Sequence, residues 1–127
     1  MRLDHVTLRT DDLDEMKDFF TEVLGLSVGD RPAFQFPGYW LYGGGKPIVH
    51  LIQGDTAPQG PGTGKDADTG AVDHIAFQGD DYDALIQRLD ALGRDHTART
   101  QTGGGARQVF VKGPLGLVVE INFPPEA

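Results

Sequence analysis

No cysteine occurs in the 127 residues, which excludes disulfides, thiolate metal sites and a cysteine nucleophile and leaves the redox compartment open. Any metal must therefore be held by nitrogen and oxygen. Basic residues are also few: 11 Lys and Arg stand against 19 Asp and Glu, for a formal net charge of -8 and a pI near 4.7. The cations are scattered, which argues against a nucleic-acid partner, because that contact relies on clustered Lys and Arg. Long apolar runs are missing too. None approaches the ~20 residues that span a bilayer, and the chain enters a strand-like pattern almost at once, so neither a membrane helix nor a signal peptide is expected. These absences point to a soluble, cytoplasmic protein.

What the chain does have is an internal repeat. The segment Leu3-Asp4-His5-Val6-Thr7-Leu8 returns as Val72-Asp73-His74-Ile75-Ala76-Phe77, so His5 and His74 lie 69 positions apart. The ends of the two copies also correspond, Pro47-Ile48-Val49-His50-Leu51-Ile52 aligning with Leu117-Val118-Val119-Glu120-Ile121-Asn122 at an offset of 70. A repeat of this length means two copies of one supersecondary unit.

Each copy changes its hydrophobic period in the same order. Residues 3–10 alternate as a strand, with His5, Thr7 and Arg9 on one face. From Asp12 the apolar residues Leu13, Met16, Phe19, Phe20, Val23 and Leu24 take helical spacing, with Asp11 or Asp12 as N-cap and Gly25 as the stop. Strands follow near 26–28, 39–42 and 47–52. The second copy repeats this with a strand over 71–78, a helix carrying Tyr82, Leu85, Ile86, Leu89 and Leu92 up to Gly93, and strands near 95–101, 107–112 and 117–123. The glycine triplets at 43–45 and 103–105 are hairpin turns, since no helix N-terminus follows them to make a phosphate cradle. The fold class is therefore α+β: one domain over 1–127, built as module one (1–53), a Gly- and Pro-rich linker or flap (54–70) and module two (71–127), each module reading βαβββ.

The repeat gathers four candidate metal ligands, His5, His50, His74 and Glu120, each predicted mid-strand between apolar neighbours. Those neighbours can face the helix while the ligands face the other side of the sheet. Glu120 is the most telling, because a carboxylate within Leu117–Phe123 is costly to bury unless it is paired or bound to a cation. A single sheet histidine is most simply satisfied by backbone or water; four candidates at repeat-related positions favour one shared divalent ion, with Zn, Ni, Fe, Mn or Co all suited to imidazole and carboxylate. His96 has no counterpart in the first half and is expected to face solvent, outside the site. Arg9, Arg107 and Lys112 are positioned in the pattern to clamp a substrate carboxylate.

On these residues the chain resembles the vicinal oxygen chelate superfamily of glyoxalase I, extradiol dioxygenases, fosfomycin-resistance transferases and bleomycin-resistance proteins. The resemblance covers Asp4-His5-Val6, Asp73-His74-Ile75-Ala76-Phe77 and the stretch from Arg107 to Glu120. It implies paired βαβββ modules forming a cupped mixed sheet with the helices on its outer face, and metal ligands at the positions of His5, His50, His74 and Glu120. Two departures stand out: the closing loop reads Gly113-Pro114-Leu115-Gly116 where the family usually has Asp-Pro-x-Gly, and His50 stands where glyoxalase I usually has glutamate. The resemblance implies a metal-dependent lyase or isomerase that chelates vicinal substrate oxygens, with Glu120 moving the proton. An Fe(II) ring-cleavage dioxygenase and a drug-sequestering protein are the alternatives. In the last of these Trp40, Tyr42, Tyr39, Phe34 and Phe36 would line an aromatic cleft, although as a group they are more simply sheet core. Likeness to the single-domain glyoxalases further implies a homodimer with sites shared between chains.

Overall fold

The structure is a computed structural model that describes residues 3–54, 57, 74–100 and 105–125. The linker beyond Gly54, Ala57 excepted, the first residues of the expected strand over 71–78, and Gly103 and Gly104 lie outside the described residues. The chain divides into two compact units, Met1–Asp68 and Thr69–Ala127, and each is a βαβββ module.

In the first unit the elements are β1 (Val6–Thr10), α1 (Leu13–Glu22), β2 (Ser27–Gly29), β3 (Gly38–Gly43) and β4 (Lys46–Gln53). The sheet order is β1-β4-β3-β2, with β1 parallel to β4 and the other pairs antiparallel. In the second unit β5 (Ile75–Gln78), α2 (Tyr82–Ala91), β6 (His96–Thr100), β7 (Arg107–Lys112) and β8 (Val118–Phe123) repeat that order as β5-β8-β7-β6. A mixed sheet follows from the topology, because the helical crossover returns the chain parallel to its first strand while the hairpins add antiparallel neighbours.

Both helices start on the same device. The carboxylate of Asp12 accepts the Glu15 N–H at 3.0 Å, and that of Asp81 accepts the Ala84 N–H at 3.0 Å, satisfying donors that have no partner within the helix. Both end at a glycine in the left-handed region, Gly25 at φ 72° and Gly93 at φ 66°, a conformation that costs a side-chain-bearing residue about 1–2 kcal/mol. Met16, Phe19, Phe20 and Val23 are buried on one stripe of the first helical segment, as are the strand residues Leu41, Val49 and Leu51. The second core repeats the arrangement with Leu85 and Leu89 beside Val109, Val111, Val119 and Ile121. In each unit the helix occupies one face of its sheet, and alternation sends every second strand residue to the other face.

Two sequence-based boundaries shift. The strands begin at Val6 and Ile75 rather than before the histidines, so His5 and His74 precede β1 and β5 instead of lying mid-strand. Ladder pairing decides this: Val6 is the first residue of β1 in register with β4, opposite Val49, and Ile75 the first of β5 opposite Val119. The closing loop 113–116 makes a 3₁₀ turn over Pro114–Gly116 without a carboxylate. The Gly113 N–H reaches the Leu117 carbonyl at 2.6 Å and the Leu117 N–H returns to the Pro114 carbonyl at 3.1 Å.

Candidate functional site

Strand register makes the two uncovered faces directly comparable. In the first unit Thr7 and Trp40 are the partners of His50 on either side; in the second Ala76 and Phe110 hold the same places beside Glu120. His50 and Glu120 thus occupy equivalent points, mid-strand and turned away from the buried Val49, Leu51, Val119 and Ile121. His5 and His74 sit just before the adjacent parallel strands. The structure therefore brings the four predicted ligands together as two pairs, one in each unit. Among the described residues, no three His, Asp or Glu side chains within a unit gather closely enough to form a complete ligand set.

In the first unit three rings form a stack. The rings of His5 and His50 lie 3.9 Å apart between centroids with planes 14° from parallel, and His50 and Trp40 lie 4.1 Å apart at 9°. Asp4 Oδ2 is 2.5 Å from His5 Nδ1; with Nδ1–H donating, the Nε2 lone pair of His5 is left for a ligand. His50 Nε2 is 3.1 Å from the Pro47 carbonyl. Burial holds His50 below the ordinary imidazole value, and the neighbouring His5 acts in the same direction; hydrogen bonding to His5 holds Asp4 below the usual carboxylate range. His50 is therefore poised as a neutral imidazole, the form that ligates.

The second unit surrounds its carboxylate with amides. Glu120 is only 8% exposed. Gln108 Nε2 donates to Glu120 Oε1 at 2.9 Å and to Asn122 Oδ1 at 3.1 Å, and Asn122 Nδ2 donates to Glu120 Oε2 at 3.1 Å. Arg99 Nε donates to Gln108 Oε1 at 2.9 Å, which fixes the amide with its NH₂ group toward Glu120. His74 Nε2 stands 3.6 Å from Glu120 Oε2. A depression of about 540 Å³ adjoins this group, lined by Gln78, Gln108 and Asn122 with Ala76, Ala106 and Phe123 among its apolar walls. Sequence reasoning missed Gln108 and Asn122. The signal was present, since Asn122 is two residues from Glu120 on one strand and Gln108 is Asn122's cross-strand partner.

The donor set fits a divalent cation in part without rearrangement. His74 and Glu120 are close to the ~3 Å separation of two donors sharing an ion at ~2.1 Å. His5 and His50 have the right chemistry but not the converging geometry. Imidazole lone pairs lie in the ring plane, and the planes of two rings stacked with centroids 3.9 Å apart and 14° from parallel do not meet near the rings, so one ring must turn before both can ligate.

The other predicted residues divide. Trp40 lies on the uncovered face with His50. Tyr42 is tied down by its hydroxyl, which donates to the Asp30 carbonyl at 2.6 Å. Arg9 Nη1 donates to the carbonyls of Gly54 and Ala57 at 3.2 and 3.1 Å, so it fastens the chain after β4. Arg107 is on the helix side of its sheet: it shares the phase of buried Val109 and Val111 and packs over the Tyr82 ring of α2, 4.1 Å from the centroid. It therefore does not share a face with Glu120. His96, expected to face solvent, is half-buried with Nδ1 2.9 Å from the Arg94 carbonyl. The aromatics were read as core, yet Phe34 is exposed, 5.0 Å from the Phe36 ring and 6.5 Å from Trp40. Tyr39 alone of the group turns to the helix, donating to Asp14 Oδ1 of α1 at 2.7 Å.

Comparison with known proteins gives a consistent picture. The family model described as Glyoxalase/Bleomycin resistance protein/Dioxygenase superfamily matches residues 2–121. The chain is 32% identical over 123 residues to Glyoxylase I 4 of Arabidopsis thaliana, covering 94% of this chain and 68% of that protein. Among solved structures it is similar to a virulence protein from Salmonella typhimurium, with a TM-score of 0.74, 20% identity and 98% and 97% of the two chains covered. A lactoylglutathione lyase from Agrobacterium tumefaciens gives 0.67 at 22% identity over 94% and 90%. A fosfomycin resistance protein from Listeria monocytogenes gives 0.69 at 20% over 97% and 93%. At these structural identities the likeness speaks for the fold alone.

Proposed function

Because this chain belongs to the Glyoxalase/Bleomycin resistance protein/Dioxygenase superfamily, we propose that it is a divalent-metal-dependent enzyme of the glyoxalase type, a lyase or isomerase acting on a small molecule with two vicinal oxygens. The observation that carries this reading is Glu120, a carboxylate kept on the uncovered face of a mainly apolar strand with both oxygens hydrogen-bonded. Burying such a group is costly unless it is used. His5, His50, His74 and Glu120 are the residues that would hold the ion. When bound, the cation supplies Lewis-acid polarisation of the substrate oxygens.

The protein's own part is the proton. Glu120 would take the proton from the hydroxyl-bearing carbon beside the carbonyl and return it to the carbonyl carbon, while the hydroxyl proton passes to the former carbonyl oxygen, so the product is an isomer with no net gain or loss. Gln108 and Asn122 hold the carboxylate plane while it does so, since each donates to a different oxygen. A second reading, ligand sequestration without turnover, is favoured by one observation: the exposed Phe34 beside Trp40 on the His50 face. The reading also makes the active form a homodimer, in which two modules close one cup and each site takes His5 and His50 from one protomer and His74 and Glu120 from the other. It is supported by the division of the four ligands into one pair per unit.

Untagged protein purified without chelator should carry one divalent ion per site. It should isomerise the hemithioacetal of methylglyoxal and glutathione, the test suggested by the similar lactoylglutathione lyase. Glu120→Gln should lower turnover by about 10²-fold or more while still binding metal. A Glu120→Gln protein as active as its parent would refute the proton role. Iron with catechol-dependent O₂ uptake would redirect the chemistry to ring cleavage, and saturable ligand binding with neither metal nor turnover would establish sequestration.

A further inference from the structure

We propose that Arg31, on the same face as His50, is an anion-recognition residue, and that with Trp40 and Phe34 it forms a subsite for a small molecule bearing a carboxylate on a flat unsaturated frame. The inference rests on reading this face as a small-molecule site.

The placement of Arg31 follows from Gly38. A Cβ built on Gly38 would meet the Leu51 carbonyl oxygen first and then Arg31 Nη2 at 3.0 Å and Cζ at 3.3 Å, so the guanidinium lies against the Gly38 backbone. Gly38 is two residues from Trp40 on β3 and shares its face. The guanidinium lies 5.0 Å from the Phe34 ring centroid and 5.3 Å from that of Phe36.

The protein itself uses little of this cation. Nη2 donates to the Phe36 carbonyl at 3.1 Å, whereas Nε is buried with no acceptor. Among the described residues no Asp or Glu forms an ion pair with Arg31. In a chain where acids outnumber bases 19 to 11, a half-buried guanidinium without a carboxylate partner calls for an explanation. Two other arginines are engaged elsewhere, Arg9 with backbone carbonyls and Arg107 over Tyr82. Both Phe rings lie at cation–π distance from Cζ, and with Nε buried and Nη2 given to the Phe36 carbonyl, Nη1 is the nitrogen that would take a carboxylate oxygen. The neighbouring indole and phenyl faces favour a flat group attached to it.

The test uses metal-free protein, so that its failure and a failure of the metal chemistry give different results. The chain has one tryptophan, and Trp40 fluorescence therefore reports on this face alone. Benzoate should quench or shift it saturably, with benzamide, its neutral analogue, at least tenfold weaker. Arg31→Met should weaken benzoate at least tenfold and leave benzamide unchanged. Arg31→Lys, which keeps the charge and loses the fork, should fall between. Folding of each variant is checked by circular dichroism; should Arg31→Met not fold, the benzoate-to-benzamide ratio of the parent and the Arg31→Lys value decide. Equal binding of the two probes, no saturable response to benzoate, or full benzoate affinity in Arg31→Met overturns the proposal.

Discussion

Gln108 illustrates how much of a site depends on phase within a strand. The residues Val109 and Val111 are buried against the helix side, so Arg107 belongs with them and Gln108 with the uncovered face. The charge of Arg107 suits a substrate clamp, but its phase puts it on the other face from Glu120. Arg9 has the phase of the uncovered face, and its length lets it reach the carbonyls of Gly54 and Ala57. His50 and Glu120, by contrast, were legible, because repeat equivalence and strand alternation independently turn them away from the core. The amide ring around Glu120 gives a stability prediction. Gln108→Leu removes the donor to a buried carboxylate oxygen and to Asn122 Oδ1, which should cost about 1–3 kcal/mol in urea unfolding. A loss under about 0.5 kcal/mol, the range of an ordinary surface change, would mean that water replaces the amide freely and the ring holds nothing.

At the scale of elements, the helices were read more closely than the strands. A helix announces its ends locally, through an Asp that caps and a Gly that takes positive φ, and both signals recur in the two copies. A strand ends where its partner ends, so residues 3–5 have strand-like alternation and yet fall outside β1. The bulge between Leu41 and Tyr42 likewise depends on a partner: it lies where β3 meets Pro47, a residue without an N–H for the ladder. Repetition makes the caps testable as a pair. Asp12→Ala and Asp81→Ala each remove one side-chain acceptor at a helix start and should each destabilise by about 1 kcal/mol. Because the caps belong to different units and share no partner, the double variant should show the sum within about 0.5 kcal/mol if the protein unfolds as one cooperative whole. Two separate unfolding transitions, each shifted by its own substitution, would instead show that the units melt independently.

For the whole molecule, composition and the repeat were enough to identify the α+β class and the two modules, since neither depends on where one module meets the other. Assembly is a different kind of information. A module of this size buries too little surface to be comfortable alone, and under the proposed function its uncovered face would be closed by the other half of the chain or by a second copy. The shared-site homodimer makes a distinctive claim about complementation. His5→Ala and Glu120→Ala each damage both sites of a homodimer, because every site then lacks one ligand. In a heterodimer of the two variants, one site receives its first-unit pair from the Glu120→Ala chain and its second-unit pair from the His5→Ala chain, and is intact; the other site carries both lesions. Mixing the inactive proteins under conditions of demonstrated subunit exchange should therefore restore activity, up to about a quarter of the parent value for equal amounts and random pairing, since half the dimers are mixed and half their sites are whole. Cobalt(II) absorption offers a parallel readout that does not depend on substrate, as the four-ligand spectrum should return in the same proportion. Absence of recovery in both measurements after exchange, or a protein that stays monomeric at micromolar concentration while fully active, would place all four ligands of a site in a single chain.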